Sequence, residues 1–81
     1  MEQPTLKEYS DKVTSMDLTI EQQIILIQTY KRTLEGFPIH QNYLMDITGL
    51  RWKEFSYTIN GLCLRGALER IEKEYYITKI K

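Results

Sequence analysis

The sequence is poor in cysteine and histidine. It contains one cysteine, Cys63, and one histidine, His40. A single cysteine cannot form an internal disulfide, and one cysteine with one histidine does not supply the ligands of a zinc site. We therefore expect no metal, no disulfide within the chain and a reducing compartment.

Long hydrophobic runs are also missing. No apolar stretch approaches the roughly 18 residues that a membrane-spanning helix needs. Residues 1–4 lack the basic and apolar regions of a signal peptide. These absences predict a soluble, cytoplasmic protein without a membrane partner.

Motifs that carry enzyme chemistry are absent from the sequence as well. It has no Ser-His-Asp set, no paired carboxylate box and no glycine loop for phosphate. His40 has no partner acid or nucleophile nearby in the sequence, so an exposed or capping role is expected. Cys63 falls in an apolar stripe and is interpreted as a small buried hydrophobe. We expect no enzymatic activity, no catalytic residues and no cofactor.

The chain carries no excess charge of either sign, with 11 basic and 11 acidic side chains. A zero balance argues against strong nonspecific binding to a polyanion. The distribution is uneven, however: residues 1–50 hold four basic and seven acidic side chains, and residues 51–81 hold seven basic and four acidic ones. The alternatives are a basic binding half and ordinary scatter.

What the sequence does contain is helical periodicity with clear start signals. At 81 residues the chain has room for one small core. Thr5 and Glu8 have the spacing of a capping box, which predicts a short helix from about Thr5 to Thr14. Thr19 with Gln22 predicts a second helix that runs to about Glu35 and stops at Gly36. We divide the chain into an N-terminal arm or short helix, residues 1–17, and a domain, residues 18–81.

The second helix is apolar on more than one side. One stripe is Ile20, Ile24, Ile27 and Leu34, and Ile25 falls nearly opposite to it. Such a helix needs cover on a second side, which the N-terminal segment or a partner subunit supplies. The residues predicted to form a homodimer surface are Leu6, Tyr9, Val13 and Ile25.

Two further helices and a hairpin are predicted in the second half. A helix over about 40–47 would turn Tyr43, Leu44 and Ile47 to the core, and Gly49 suits its end. A helix from Arg51 to about Arg65 follows, with Trp52 expected to seal the core at its start. Residues 67–72 and 74–80 are expected to form two antiparallel strands joined by a short connection around Lys73. The predicted fold class is mainly α with a small β-hairpin.

The pattern Thr48-Gly49-Leu50, a helix with apolar Phe55, Ile59 and Leu62, and then Arg65-Gly66 resembles the winged helix-turn-helix domains of MarR-type bacterial repressors and small phage or plasmid regulators. The resemblance covers about residues 18–80. It implies a three-helix core with a short wing, and a sequence-specific regulator that binds double-stranded DNA through the helix at about 51–65. A homodimer is expected because a single small module with few positive charges would bind DNA weakly unless two half-sites are read together. The sequence departs from the family at Arg51-Trp52-Lys53, where a Ser or Thr cap is usual, and in its short hairpin loop.

In that arrangement the outward side chains of the helix would meet base edges and phosphates. Lys53 would donate to guanine, Asn60 would pair with adenine and Tyr57 would reach a sugar or a phosphate. The other expected phosphate contacts are Arg51, Arg65 and Lys73, with Lys79 and Lys81 further along. The alternative for each residue is an ordinary solvated helix face.

A competing hypothesis is a winged-helix protein-interaction module, such as a small phage or mobile-element protein that binds a host protein. Neutral net charge and the short hairpin favour it, as do Glu54 and Leu64 on the supposed DNA face.

Overall fold

A computed structural model describes residues 3–78 of the chain, and the predictions made for Lys79, Ile80 and Lys81 lie outside this range. It has four helices and three short strands. The helices are α1 (Leu6–Ser15), α2 (Ile20–Glu35), α3 (Gln41–Thr48) and α4 (Trp52–Leu64); the strands are β1 (Ile39–His40), β2 (Leu68–Ile71) and β3 (Tyr75–Thr78). The prediction of a mainly helical fold with a small antiparallel sheet is confirmed.

The first two helices begin where local side-chain hydrogen bonds predict. The Thr5 hydroxyl accepts from the Glu8 backbone N–H at 3.1 Å, and the Thr5 N–H donates to the Glu8 carboxylate at 2.8 Å. The hydrogen bond that the Thr5 N–H donates stabilises the ionised carboxylate and lowers the pKa of Glu8. Thr19 and Gln22 form the same reciprocal pair at the start of α2. Both predicted capping boxes are therefore confirmed.

Three glycines, Gly36, Gly49 and Gly66, follow helices in the left-handed conformation. Gly49 has a φ of 72° and starts the three-residue turn, residues 49–51, between α3 and α4. Gly66 has a φ of 79° just after α4. Its N–H donates to the Cys63 carbonyl while the Ala67 N–H donates to the Leu62 carbonyl, the hydrogen bonds of a Schellman motif. Glycine suits these positions because it has no Cβ to clash at positive φ.

The sheet has the strand order β1-β3-β2, with both pairs antiparallel. Ile39 of β1 is opposite Tyr76, and Leu68 of β2 is opposite Thr78. The hairpin was predicted, but β1 was not, because two residues are too few to carry a strand pattern. Its pairing joins the α2–α3 connection to the last strand.

One core lies between the helices and the sheet. Its buried members come from every helix and every strand: Val13, Ile25, Leu26, Ile39, Leu44, Phe55, Ile59, Leu62, Leu68 and Tyr76. Since α1 contributes Val13, it is docked on the same core as the rest of the described chain.

The burial of α2 differs from the sequence-based expectation. Ile25 has no exposed surface and Val13 is also buried, so neither offers an apolar surface for the predicted dimer contact. Ile20, assigned to the buried stripe, is 69% exposed, and Leu34 is also exposed. The buried side of α2 is instead centred on residues 25–30, because α1 and β3 both pack against this helix. Of the two sources of cover considered, the N-terminal segment is the one found.

Two aromatic residues expected in the core lie at the surface. Tyr43 of α3 is exposed, and the Arg32 guanidinium lies 5.8 Å from the centre of its ring. Trp52 is 56% exposed at the start of α4. Its ring centre is 6.3 Å from that of Phe55, which fills the buried position on the next turn. Phe55, and not Trp52 as predicted, therefore closes the core at the start of α4.

Within residues 3–78, none of the helices has both the length and the apolar character needed to cross a bilayer.

Candidate nucleic-acid interface

Helix α4 has one side buried in the core and an opposite side exposed to solvent. Phe55, Ile59 and Leu62 are buried in the core. The opposite side carries Lys53, Tyr57, Asn60 and Leu64, spaced by three or four residues, and we call these four residues the outer ridge. Tyr57 is 83% exposed and Leu64 is 89% exposed. The outward orientation predicted for Lys53, Tyr57 and Asn60 is thus found.

The structure shows no partner within residues 3–78 for the polar groups of the outer ridge. Among residues 3–78, the side chains of Lys53, Tyr57 and Asn60 make no hydrogen bond or ion pair. Lys53 offers donors, Asn60 offers both a donor and an acceptor, and Tyr57 offers a hydroxyl on a flat ring. This set can bind base edges and phosphates, or the polar groups of a protein surface.

The two arginines at the ends of α4 are not equivalent. Arg51 occupies the N-cap position, where its side chain makes no capping hydrogen bond. With 13 residues in the helix, Arg51 and Arg65 are separated by about 20 Å along the axis. Arg65 faces a different neighbourhood: it lines a cavity with Tyr9 and Lys12 of α1. The structure therefore places Arg51 next to the outer ridge and Arg65 at its far end, beside α1.

Lys73 is the middle residue of the connection between β2 and β3. Its neighbours are Glu72 and Glu74, and we call residues 72–74 the hairpin tip. Glu72 has a φ of 58°, a left-handed conformation that is uncommon for residues other than glycine. The tip holds two acidic side chains and one basic one, so its charge does not favour phosphate contact. Lys73 is exposed but is not brought near the outer ridge by any described contact.

His40 connects the hairpin tip to the start of α3 through two hydrogen bonds. Its Nδ1 accepts from the Asn42 N–H at 3.0 Å, and its Nε2 lies 3.0 Å from the Glu74 carboxylate. Because Nδ1 is an acceptor, the proton belongs on Nε2, which donates to Glu74. Tyr75 packs against the imidazole in an edge-on arrangement with ring centres 4.9 Å apart. The capping role expected for His40 is confirmed, whereas its contact with Glu74 had no signal in the sequence.

A shallow groove runs beside the outer ridge towards the start of α2. Lys53, Tyr57 and Asn60 lie on one side, and Thr19 and Glu21 of α2 lie on the other. Glu21 and Glu54 place carboxylates along this groove. Among the described residues, Lys53 is the one basic side chain that lines this groove, and Arg51 and Arg65 lie at the two ends of α4.

The predicted dimer residues fall into two groups. Leu6 and Tyr9 on α1 are partly exposed, while Val13 and Ile25 are buried within the chain. The Tyr9 ring stacks on that of Tyr30, with centres 4.0 Å apart. These contacts dock α1 on α2 of the same chain.

Within the described part of the chain, no group of three or more His, Cys, Asp or Glu side chains is placed to hold a metal ion. The sequence matches no protein-family model, no curated protein matches it, and no solved structure matches its fold.

Proposed function

We propose that this chain is a winged helix-turn-helix protein that binds double-stranded DNA with α4 in the major groove. The element order α2, β1, α3, α4, β2, β3 supports the proposal, because it provides three helices followed by a hairpin. The turn of residues 49–51 between α3 and α4 has the length typical of a helix-turn-helix.

The observation that carries the proposal is the outer ridge. Lys53, Tyr57 and Asn60 project from one side of a helix about 20 Å long whose other side is anchored in the core. A major groove admits a helix of this kind, and unpaired lysine and asparagine side chains suit guanine and adenine edges. Arg51 at the N-terminal end of α4 would contact a phosphate.

Charge limits the affinity of a single copy. The proposal assigns phosphate or base contacts to four described basic side chains: Arg51, Lys53, Arg65 and Lys73. The hairpin tip that contains Lys73 is net acidic. Two copies on two half-sites would raise the affinity, so the proposal includes a dimer on DNA. The dimer surface would have to exclude the buried Val13 and Ile25.

The proposal is tested by titrating the protein into a fluorescent duplex of mixed sequence at about 50 mM and about 200 mM salt. Binding should weaken steeply with salt, and Lys53→Ala should weaken it at the lower salt concentration by about 1–3 kcal/mol, as expected for the loss of a base contact. Lys31→Ala is the matched control, since Lys31 is an exposed lysine of α2. Absence of salt-dependent binding at the lower concentration, or equal effects of the two variants, would contradict DNA binding through α4.

A second candidate function, a winged-helix module that binds a protein partner, is supported by Leu64. This leucine is 89% exposed in the outer ridge beside Tyr57, which is unusual for a DNA surface and ordinary for a protein contact. Leu64→Arg separates the two functions: it adds a cation to the ridge and should tighten DNA binding, whereas it should weaken docking of a protein partner.

A further inference from the structure

A cavity of about 220 Å³ lies between α1, α2 and the turn that follows α4. Its apolar walls include Val13 of α1, Met16 directly after α1, Leu26 of α2, and Ala67 just before β2. An apolar cavity of roughly 150 Å³ is enough to bind benzene. This one therefore has room for a molecule with a single ring or a short alkyl chain.

Two cations, Lys12 and Arg65, also line the cavity, and no acidic side chain does. Among residues 3–78, neither cation makes an ion pair or a side-chain hydrogen bond. Glu8 stands four residues before Lys12 but accepts a hydrogen bond from the Thr5 N–H and forms no ion pair with Lys12. The cavity lining therefore holds two cations, without ion pairs in the described chain, beside apolar walls. The Glu8 carboxylate lies close enough to Tyr30 to add to burial in raising the pKa of its phenol.

The two tyrosines of the cavity do not supply the missing negative charge. Tyr30 donates its hydroxyl proton to the Pro4 carbonyl, and its ring stacks on Tyr9. Burial raises the pKa of both phenols, that of Tyr9 to about 12. Both are therefore neutral at physiological pH, and the cavity combines aromatic and aliphatic walls with a net positive edge.

We propose that this cavity is a binding site for a small apolar monoanion: a carboxylate that carries one ring or a short alkyl chain. The apolar part would occupy the space between Val13, Leu26 and Ala67. The carboxylate would pair with Arg65 and Lys12. A carboxylate fits better than a neutral molecule because arginine and lysine bind it through charge-assisted hydrogen bonds. The inference concerns ligand binding in the absence of DNA, and it shares only Arg65 with the phosphate contacts proposed above.

The test uses the whole chain and two probes, benzoate and hexanoate, with benzamide as the neutral match of benzoate. Amide NMR spectra recorded during a titration without DNA should show saturable shifts at Tyr9, Val13, Gly66 and Ala67, with millimolar affinity. Benzamide should bind roughly tenfold more weakly, since it loses a hydrogen bond between charged groups. The two carboxylate probes distinguish a preference for a ring from a preference for a chain.

Arg65→Gln and Lys12→Gln should each weaken benzoate binding by roughly tenfold. These variants should remain folded because neither side chain has a partner among the described residues. Lys31→Gln, which removes the same charge from an exposed site on α2, is the control and should bind like the parent. Ala67→Leu, which fills the cavity, should abolish the shifts of both probes while its amide spectrum stays dispersed.

Three outcomes would overturn the proposal. They are the absence of saturable shifts at about 20 mM of either carboxylate, equal binding of benzamide and benzoate, and equal effects of Lys31→Gln and Arg65→Gln. None of them bears on the DNA titration, so the two proposals fail separately.

Discussion

Helices α1 and α4 both pack one side on the core, but they use their polar side chains differently. In α1, Thr5 and Glu8 bond each other across the first turn, and Tyr9 stacks on Tyr30. In α4, the first turn has no side-chain cap, and Lys53, Tyr57 and Asn60 make no bond within the described chain. The comparison shows that the polar side chains at the start of α1 bond within the chain, whereas those of the outer ridge of α4 have no partner within residues 3–78.

The largest expected loss of stability comes from removing the buried side chain that anchors α4 in the core. Phe55→Ala removes a buried ring and should lower the free energy of unfolding by about 3–5 kcal/mol, because a cavity replaces well-packed atoms. Tyr57→Ala, two residues away on the exposed side, should change it by no more than about 0.5 kcal/mol. Urea denaturation followed by circular dichroism measures both. Similar losses for the two variants would mean that the two sides of α4 do not differ as described.

A smaller effect is expected from the cap of α1. Thr5→Ala removes the acceptor of the Glu8 N–H and should lower the free energy of unfolding by about 1 kcal/mol. Thr14→Ala is the control, since that hydroxyl lies near the end of the same helix and bonds only the Asp11 carbonyl. If urea denaturation gives equal midpoints for the two variants, the capping box does not stabilise α1.

The reverse change is expected at α4, where a cap is missing. Arg51→Ser places a capping hydroxyl three residues before Glu54, which completes the Ser-x-x-Glu pattern of a capping box. The free energy of unfolding should rise by about 0.5–1 kcal/mol. Arg51→Ala removes the same charge without adding a cap and should give no such gain in thermal denaturation. A gain shared by both variants would assign the effect to charge and not to capping.

The last prediction concerns the free energy of unfolding at alkaline pH, with no pH-dependent contribution expected at neutral pH. The pKa of Tyr9 is raised from 10 to about 12, chiefly by burial and then by the neighbouring Tyr30. Because the folded state holds this proton more tightly than the unfolded chain, the stabilisation is complete below pH 10 and is lost as the pH rises towards 12. Tyr9→Phe should therefore flatten the alkaline fall of unfolding free energy. Tyr57→Phe, at an exposed ring, should leave the fall unchanged in the same urea series.

The positions of the helices were predictable because their end signals act over three or four residues. The boxes at Thr5 and Thr19 and the left-handed glycines Gly36 and Gly49 are found where the sequence placed them. The outward orientation of Lys53, Tyr57 and Asn60 was predictable for a related reason. Once Phe55, Ile59 and Leu62 define the buried side of a helix, the opposite side follows from its 3.6-residue period.

Other side chains that the fold brings together had no local signal in the sequence. Arg65 and Lys12 are separated by more than fifty residues, and they line one cavity because α1 docks beside the end of α4. The contact between His40 and Glu74 likewise depends on β1 pairing with β3. Side-chain identity alone could not have paired these residues.

The sequence by itself determined where the four helices and the hairpin lie, because capping bonds, helical period and positive-φ turns are short-range. Only the tertiary structure decided which apolar residues of α2 are buried, and that Trp52 and Tyr43 stay at the surface. Burial depends on which elements pack together, and α2 is covered by both α1 and β3. That long-range packing also placed Lys12 and Arg65 on the lining of one cavity and left the outer ridge of α4 without a partner in the described chain.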